Sequence, residues 1–250
     1  MLACEERRAG IRAVRGAKRA GRATAGLASF GFARRRVFHD ARRAARIVFM
    51  KGTAMKNVVL TGIGGQGTVL AAKVLAQAAQ NRGWQVRTAE TIGMAQRGGS
   101  VVSHVRMGDG GEHVHAPLVS TGQADALIAF EPGEAARIAY LLKPEGVLVS
   151  ASRVVQPVTA SLSKSVYEAA PVLDALRARR GRTVAVDEAS LLAEAGSPKV
   201  LNMVLLAVAV ETGAIGITLD ELKDAVRACV KPRFVDMNIA AIDAAAASLL

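Results

Sequence analysis

Six residues directly after the first strand-like apolar run have the types and spacing of a ligand-binding turn. The segment Gly62–Gly67 reads Gly-Ile-Gly-Gly-Gln-Gly and matches the pattern G-x-G-x-x-G. It follows the apolar run 57–61 and opens a helical pattern over 66–81. A glycine-rich turn between a buried strand and a helix brings backbone N–H groups close to an anion, a cofactor phosphate or a tightly packed backbone. The turn therefore predicts a close contact with an anion, a cofactor phosphate or a packed backbone, and the sequence leaves all three open.

A dinucleotide site is one interpretation, because G-x-G-x-x-G is also the fingerprint of NAD and FAD binding. Such a site needs an acidic residue at the end of the second strand for the ribose hydroxyls. Glu90 is the candidate, and Arg87 lies just before it. A tight turn that packs against a neighbouring element is the alternative, and the pattern alone leaves both open.

A second glycine-rich segment, residues 92–100, contains one arginine and one glutamine. It follows the second predicted strand, so in a parallel sheet it emerges at the same edge as the first turn. The guanidinium of Arg97, which follows Gln96, can bind a carboxylate or a phosphate through two hydrogen bonds. An ordinary polar connection is the alternative interpretation.

Alternation along the third predicted strand places His104 and Arg106 on one face of the sheet. This pattern predicts either a polar surface for a partner or ligand, or a sheet face in contact with water. His113 and His115 alternate in the segment that follows. No carboxylate or cysteine is arranged with these histidines in the sequence, so we predict no metal site.

Glu131 lies at the end of a predicted strand, immediately before a helix that begins at Pro132. Ligands of open α/β folds bind at the carboxyl edge of the sheet, which makes Glu131 a candidate ligand residue. Alternatively, Glu131 and Glu134 stabilise the first turn of the helix by charge–dipole attraction. The sequence favours neither role.

Apolar runs alternate with helical patterns from Met55 onward, which predicts an α/β domain. The predicted strands are 57–61, 85–90, 100–107, 126–130, 147–150 and 183–186. The predicted helices are 66–81, 132–142, 168–180, 188–195, 198–212, 219–230 and 233–250. The turn 108–111, followed by 112–115, predicts a hairpin, so the mostly parallel sheet is expected to be partly mixed. We therefore expect a three-layer, Rossmann-like domain with a helical C-terminal part.

The positive charge of the chain is concentrated at its N-terminus. The formal net charge is +12, and residues 1–54 hold 14 of the 33 Lys and Arg but only 3 of the 21 Asp and Glu. Residues 55–250 are nearly neutral and contain no continuous stripe of basic residues, so we predict no nucleic-acid partner.

Apolar stretches such as 203–210 are too short to cross a bilayer, and we predict no membrane association. Cys4 and Cys229 lie far apart without a C-x-x-C motif, which predicts no iron–sulfur site here and a cytoplasmic location.

Three interpretations of residues 1–54 compete. The segment is rich in Arg and poor in acidic residues, as transit peptides are. It could instead be a disordered tail that binds nucleic acid or a membrane surface. The third interpretation is a start codon assigned too far upstream, because Met55 directly precedes the first predicted strand. We expect a basic, disordered extension over 1–54 and a folded domain over 55–250.

Several spaced motifs, taken together and in order, resemble a known family. They are Gly62–Gly67, Gly93–Ser100, Ser103–Arg106 and Phe130–Pro132, and the regions of Asn202 and Phe234–Asn238 are similar as well. These residues resemble the gamma-type domain of 2-oxoacid:ferredoxin oxidoreductases, with the closest likeness to the beta subunits of indolepyruvate ferredoxin oxidoreductases. The likeness covers about residues 56–245.

The resemblance implies an oxidative decarboxylation of a 2-oxo acid, in which CoA accepts the acyl group and ferredoxin accepts the electrons. It also implies that this chain alone binds no cofactor, since thiamine diphosphate and the iron–sulfur clusters belong to a large alpha-type partner subunit. The segment 94–97 is more similar to the aryl-pyruvate type than to the pyruvate type. A stand-alone NAD(P)-binding oxidoreductase or binding module is the alternative.

By resemblance, we expect both glycine-rich loops to face the partner subunit or the region of substrate and CoA. We assign no catalytic residue, and we expect the chain to be inactive alone. The residues of this predicted surface are Gly62, Gly64, Gly65, Gln66, Gly67, Met94, Gln96, Arg97, Gly98, Gly99, Ser100, His104, Arg106 and Glu131.

Overall fold

The computed structural model describes residues 55–93, 98–108, 110–156, 167–194 and 197–249. Met94, Gln96, Arg97 and the basic segment 1–54 lie outside the described residues. Within the described part of the chain, six strands form one sheet. They are β1 (Met55–Ile63), β2 (Gln85–Ile92), β3 (Ser100–Gly108), β4 (Ala124–Ala129), β5 (Leu142–Ala151) and β6 (Thr183–Val186).

Seven α-helices are described, and most of them connect or follow the strands. They are α1 (Thr68–Asn81), α2 (Pro132–Ile138), α3 (Ala169–Arg177), α4 (Glu188–Glu194), α5 (Leu201–Glu211), α6 (Leu219–Cys229) and α7 (Val235–Ala247). Short 3₁₀ turns adjoin three of them, at Ala139–Leu141, Pro198–Val200 and Pro232–Phe234. The predicted helices 132–142 and 198–212 include the first two of these turns, and the predicted helix 233–250 includes the third from Arg233 onward.

The sheet is mixed, as predicted, with the strand order β2-β3-β1-β4-β5-β6. β1, β4, β5 and β6 pair in parallel with one another. β3 lies between β1 and β2 and runs antiparallel to both. The carboxyl ends of β1 and β2 and the amino end of β3 therefore meet at one edge of the sheet, which we name the carboxyl edge.

The predicted hairpin is wrong, although the prediction of a mixed sheet is right. Residues 112–115 form no strand, because β1 and β2 already occupy both sides of β3. The segment lies instead across the face of the sheet. The carbonyl of Val114 accepts a hydrogen bond from Nε of Arg87 at 3.4 Å, and that of Ala116 accepts one from Nη1 of Arg106 at 2.8 Å.

Helices on both faces of the sheet give the predicted three-layer arrangement. Neighbouring residues of one strand point to opposite faces. Leu60 and Ile128 thus belong to a core shared with α1, α5, α6 and α7. Val59 and Leu127 belong to a second core, which α2 and α3 cover.

Helix α5 is the central element of the first core, since the side chains from Asn202 to Val210 are all buried. An apolar sequence without a polar face requires this position. At α6, Thr218 and Glu221 form the predicted capping box. No helix among the described residues is both long and apolar enough to span a membrane.

Candidate functional site

The turn between β1 and α1 is braced from within by Gln66. Its Oε1 accepts a hydrogen bond from the N–H of Ile63 at 2.6 Å, and its Nε2 donates to the carbonyl of Phe130 at 3.0 Å. The bonds join the turn to the end of β4. A Cβ atom at Gly62 would lie 2.8 Å from Oε1 of Gln66 and 2.9 Å from Cβ of Phe130. Glycine is therefore needed at position 62 for close packing.

The last glycine of the turn is needed for two reasons. Gly67 has φ of 84°, in the left-handed region that disfavours other residues. A Cβ atom there would also lie 2.7 Å from Nδ2 of Asn202, a buried residue of α5 that donates to the Gly67 carbonyl at 3.4 Å. Gly65 also has a positive φ, 103°, but a Cβ at that position would meet nothing within 4 Å. The turn is tightly packed at its ends and open at its tip.

The first turn of α1 is open to an anion. Gly67 is its N-cap and supplies no side chain to the free N–H groups. Thr68 is 3% exposed, and its Oγ1 has no hydrogen-bond partner among the described residues. Thr68 lines a hollow of about 480 Å³ together with Gly65, Val69 and Lys73. The free N–H groups, the hydroxyl of Thr68 and the ammonium of Lys73 are groups that bind phosphate, whereas the other lining side chains, those of Ile63, Val69, Leu70 and Val101, are apolar.

The two glycine-rich segments meet at the carboxyl edge, as the sequence predicted. The N–H of Gly64 donates to the carbonyl of Gly99 at 2.8 Å. Gly93 donates in the same way to Ser100 at 2.8 Å, which closes the base of the second segment. The register of β1 and β3 places Ile63 opposite Ser100.

A second cleft, of about 260 Å³, lies at the same edge and contains Glu131. Glu131 is 2% exposed and caps α2, with Oε2 accepting from the N–H of Glu134 at 2.9 Å. Its Oε1 accepts from the N–H of Val155 at 3.4 Å and from the hydroxyl of Tyr167. Burial raises the pKa of Glu131, and the backbone hydrogen bonds oppose part of that shift.

Glu134 connects the cleft to the second glycine-rich segment. It is buried, and its Oε2 accepts a hydrogen bond from Oγ of Ser100 at 2.5 Å. Its Oε1 lies 3.5 Å from Nε of Arg137, whose side chain is largely exposed. Glu131 thus caps the helix and also lines a cleft at the carboxyl edge, and its role as a ligand residue stays a prediction.

His104 and Arg106 are placed differently from both interpretations of their sequence pattern. His104 is 7% exposed, and its Nδ1 accepts from the N–H of Val119 at 3.3 Å. Burial lowers the pKa of His104. Nε of Arg106 donates to Oδ1 of Asn57 at 3.0 Å, near the opposite edge of the sheet. These side chains hold the segment before β4 over the sheet, which leaves His104 buried and Arg106 half-buried.

Glu90 does not occupy the position that a dinucleotide site requires. Glu90 lies in β2, and the glycine turn follows β1. Because β3 lies between these two strands, β2 and β1 are two strand spacings apart, about 10 Å. In the Rossmann arrangement the two strands are neighbours. The observed topology does not favour the dinucleotide interpretation.

The sequence interpretation missed Thr68, Lys73 and Tyr167, and it gave Glu134 only a helix-stabilising role. Their importance comes from long-range contacts, such as the contact of Tyr167 with Glu131. Only the position of Thr68 at the start of α1 was visible in the sequence. Among the described residues, no three His, Cys, Asp or Glu side chains are grouped as metal ligands, so they do not fit an iron–sulfur cluster.

Gln66→Ala is expected to destabilise the domain by about 1–3 kcal/mol, because the part-buried N–H of Ile63 and the carbonyl of Phe130 lose their partner. Urea unfolding measures this change. Gln77→Ala is the control, since Gln77 bonds only to Asn81 in an exposed i,i+4 pair. Equal stability losses in the two variants would contradict the bracing role.

Glu131 is expected to make stability depend on pH in a specific direction. Its pKa in the folded chain lies above the ordinary value of 4.5, so it binds a proton more tightly when folded. The stabilisation that comes from this tighter proton binding is complete below pH 4.5, and it is lost as the pH rises through the pKa of the folded state. The unfolding free energy of the wild type minus that of Glu131→Gln should therefore fall with rising pH. Glu211→Gln, at an exposed position, is the control, and a difference that rises would refute the assignment.

Residues 57–248 match the model of the family described as "Pyruvate ferredoxin/flavodoxin oxidoreductase". The chain is 36% identical over 192 residues to the indolepyruvate oxidoreductase subunit IorB of Pyrococcus horikoshii, covering 75% of this chain and 92% of that protein. It is 35% identical over 187 residues to the subunit of the same name from Archaeoglobus fulgidus, covering 74% of this chain and 91% of that protein.

A solved structure shares the fold. The gamma subunit of a keto/oxoacid ferredoxin oxidoreductase from Geobacter sulfurreducens superposes with a TM-score of 0.56 at 24% identity. The superposition covers 77% of this chain and 96% of that one. The family match and the curated relatives agree, and the chain belongs to the pyruvate ferredoxin/flavodoxin oxidoreductase family.

Proposed function

We propose that this chain is a subunit of a 2-oxoacid:ferredoxin oxidoreductase that acts on indolepyruvate or a related aryl-pyruvate. The observation that carries the proposal is the 36% identity across 92% of the archaeal indolepyruvate oxidoreductase subunit IorB. The matched family region, 57–248, includes the whole carboxyl edge. We expect the complex to work in the cytoplasm.

The reaction breaks the bond between the carboxylate carbon and the 2-oxo carbon and releases carbon dioxide. The acyl group passes to the CoA sulfur, and the electron pair passes to ferredoxin one electron at a time. Thiamine diphosphate supplies the carbanion stabilisation when bound, and iron–sulfur clusters carry the electrons. We assign both to a large partner subunit, since the described residues of this chain offer no cluster ligands.

The role proposed for this chain is to complete the site from the carboxyl edge. The tip of the glycine turn at Gly65 is open, so a partner backbone or a ligand can approach it closely. The first turn of α1, with Thr68 and Lys73, is suited to hold a phosphate of CoA. Arg97, outside the described residues, stays a predicted anion-binding residue on the neighbouring loop.

Co-expression with the candidate large subunit from the same genome tests the assignment. The two chains should co-purify and reduce ferredoxin with indolepyruvate and CoA, and neither chain should do so alone. Isothermal titration of the isolated chain with NAD(H) and NADP(H) should show no binding. Tight dinucleotide binding, or activity without the large subunit, would overturn the proposal.

Thr68→Val and Lys73→Met are expected to raise the KM for CoA in the reconstituted complex. Loss of one charge-assisted contact to a phosphate corresponds to about a tenfold weaker affinity. The KM for the 2-oxo acid should stay within about twofold, because the contact is to CoA alone. Arg177→Met, at an exposed position of α3 on the other face of the sheet, is the control. An unchanged KM for CoA in both variants would place the phosphate elsewhere.

A further inference from the structure

Glu134 is a buried carboxylate in the first turn of α2, where an exposed one would serve the helix equally well. It is 7% exposed, although the charge–dipole attraction at the N-terminus of a helix requires no burial. Removing a carboxylate from water is costly unless other donors replace the water. The needs of the helix alone therefore do not account for the position of this side chain.

The carboxylate of Glu134 binds an element outside its own helix. Glu131 is the N-cap of α2, and its Oε2 accepts from the N–H of Glu134, which is the third helical residue. A glutamate at this position can bind the N–H of the cap in return, as in a capping box. Here Oε2 of Glu134 accepts from Oγ of Ser100 at 2.5 Å. The bond thus joins the start of α2 to the first residue of β3.

Ser100 is the residue at which the second glycine-rich segment is anchored. Its carbonyl accepts from the N–H of Gly93 at 2.8 Å, and the carbonyl of the preceding Gly99 accepts from the N–H of Gly64 at 2.8 Å. The first bond closes the base of the segment, and the second joins it to the glycine turn after β1. Because Glu134 holds the Ser100 side chain, it also restrains the neighbouring carbonyl to which the first turn is bonded.

The short stretch 130–134 holds both glycine-rich segments. The carbonyl of Phe130 accepts from Nε2 of Gln66, which braces the first turn. Glu134 binds the second segment through Ser100. Both anchors lie where β4 ends and α2 begins, so one well-packed support fixes the two segments relative to each other.

We propose that Glu134 is a positioning residue that holds the second glycine-rich segment against the first, so that the carboxyl edge is formed before CoA binds. This inference deepens the proposed function and rests on it. A surface that is already ordered loses little conformational entropy on binding, whereas a loosened edge must be ordered by its ligand. The bound geometry is the same in both cases. Loss of the bond should therefore raise the KM for CoA and leave kcat nearly unchanged.

Kinetics of the reconstituted complex test the proposal. Ser100→Ala should raise the KM for CoA about three- to tenfold and leave kcat within about twofold. Ser100→Thr keeps the hydroxyl and should restore the KM for CoA. Asp174→Ala is the control, because it removes a carboxylate from an exposed i,i+3 pair with Arg177. If the KM for CoA is unchanged in Ser100→Ala, the positioning role is wrong while the proposed function stands. If the wild-type complex does not use CoA, both are wrong.

A double-mutant cycle shows whether Ser100 and Glu134 act as a pair. Glu134→Ala should raise the KM for CoA by about the same factor as Ser100→Ala, since each variant removes the same bond. The double variant should then show no further increase. Thermal unfolding should show that all three variants fold. Two factors that multiply in the double variant would contradict the proposal.

Amide hydrogen exchange of the free chain gives a readout that does not depend on activity. In Ser100→Ala, the N–H of Gly64 should exchange about tenfold faster, because its acceptor on Gly99 is no longer held in place. The N–H of Phe130, which donates to the carbonyl of Thr61 at 2.8 Å, is the internal control and should keep its rate. Unchanged exchange at Gly64 would overturn the proposal. Equal acceleration at both amides would indicate a general loss of stability and would overturn it as well.

Discussion

The pairing of β3 between β1 and β2 brings the two glycine-rich segments to one edge of the sheet. Because β3 begins at Ser100, opposite Ile63, it brings the second glycine-rich segment against the first. The hydrogen bond from Gly64 to Gly99 fixes the contact at the backbone level. The same pairing moves β2 one strand away from β1, which separates Glu90 from the turn. One antiparallel strand thus creates a shared edge and removes the geometry of a dinucleotide site.

Glycine serves different purposes along this edge. At positions 62 and 67 it allows side chains of Gln66, Phe130 and Asn202 to approach the backbone. At Gly65 it permits a φ of 103°, and the space beside this residue is open. A turn fixed at both ends and bare at its tip is suited to receive a rigid partner, since little conformational entropy remains to be lost on binding. The buried carboxylates of Glu131 and Glu134 accept hydrogen bonds from Ser100, Val155 and Tyr167, which fixes these residues at the same edge.

Much of the fold was predictable because periodicity is a local property. The strand 183–186 and the capping box of Thr218 and Glu221 match the prediction directly. The segment 112–115 alternates like a strand, but its place depends on which strands flank β3, and local pattern does not contain that information. His104 and Arg106 were assigned to the correct face, yet the chain itself covers that face. Gln66 was predicted to face a partner, and its internal bonds depend on Phe130, 64 residues away.

The central claim is that the carboxyl edge, with Gly65 at its tip, completes a site whose reactive cofactors lie in a larger subunit. The most direct test is a cryo-electron microscopy structure of the complex reconstituted with that subunit, thiamine diphosphate and CoA. We expect Gly65 and Gly98 to lie in contact with the large subunit or with CoA. A complex in which this edge faces open solvent, while another surface of the chain makes the contact, would contradict it.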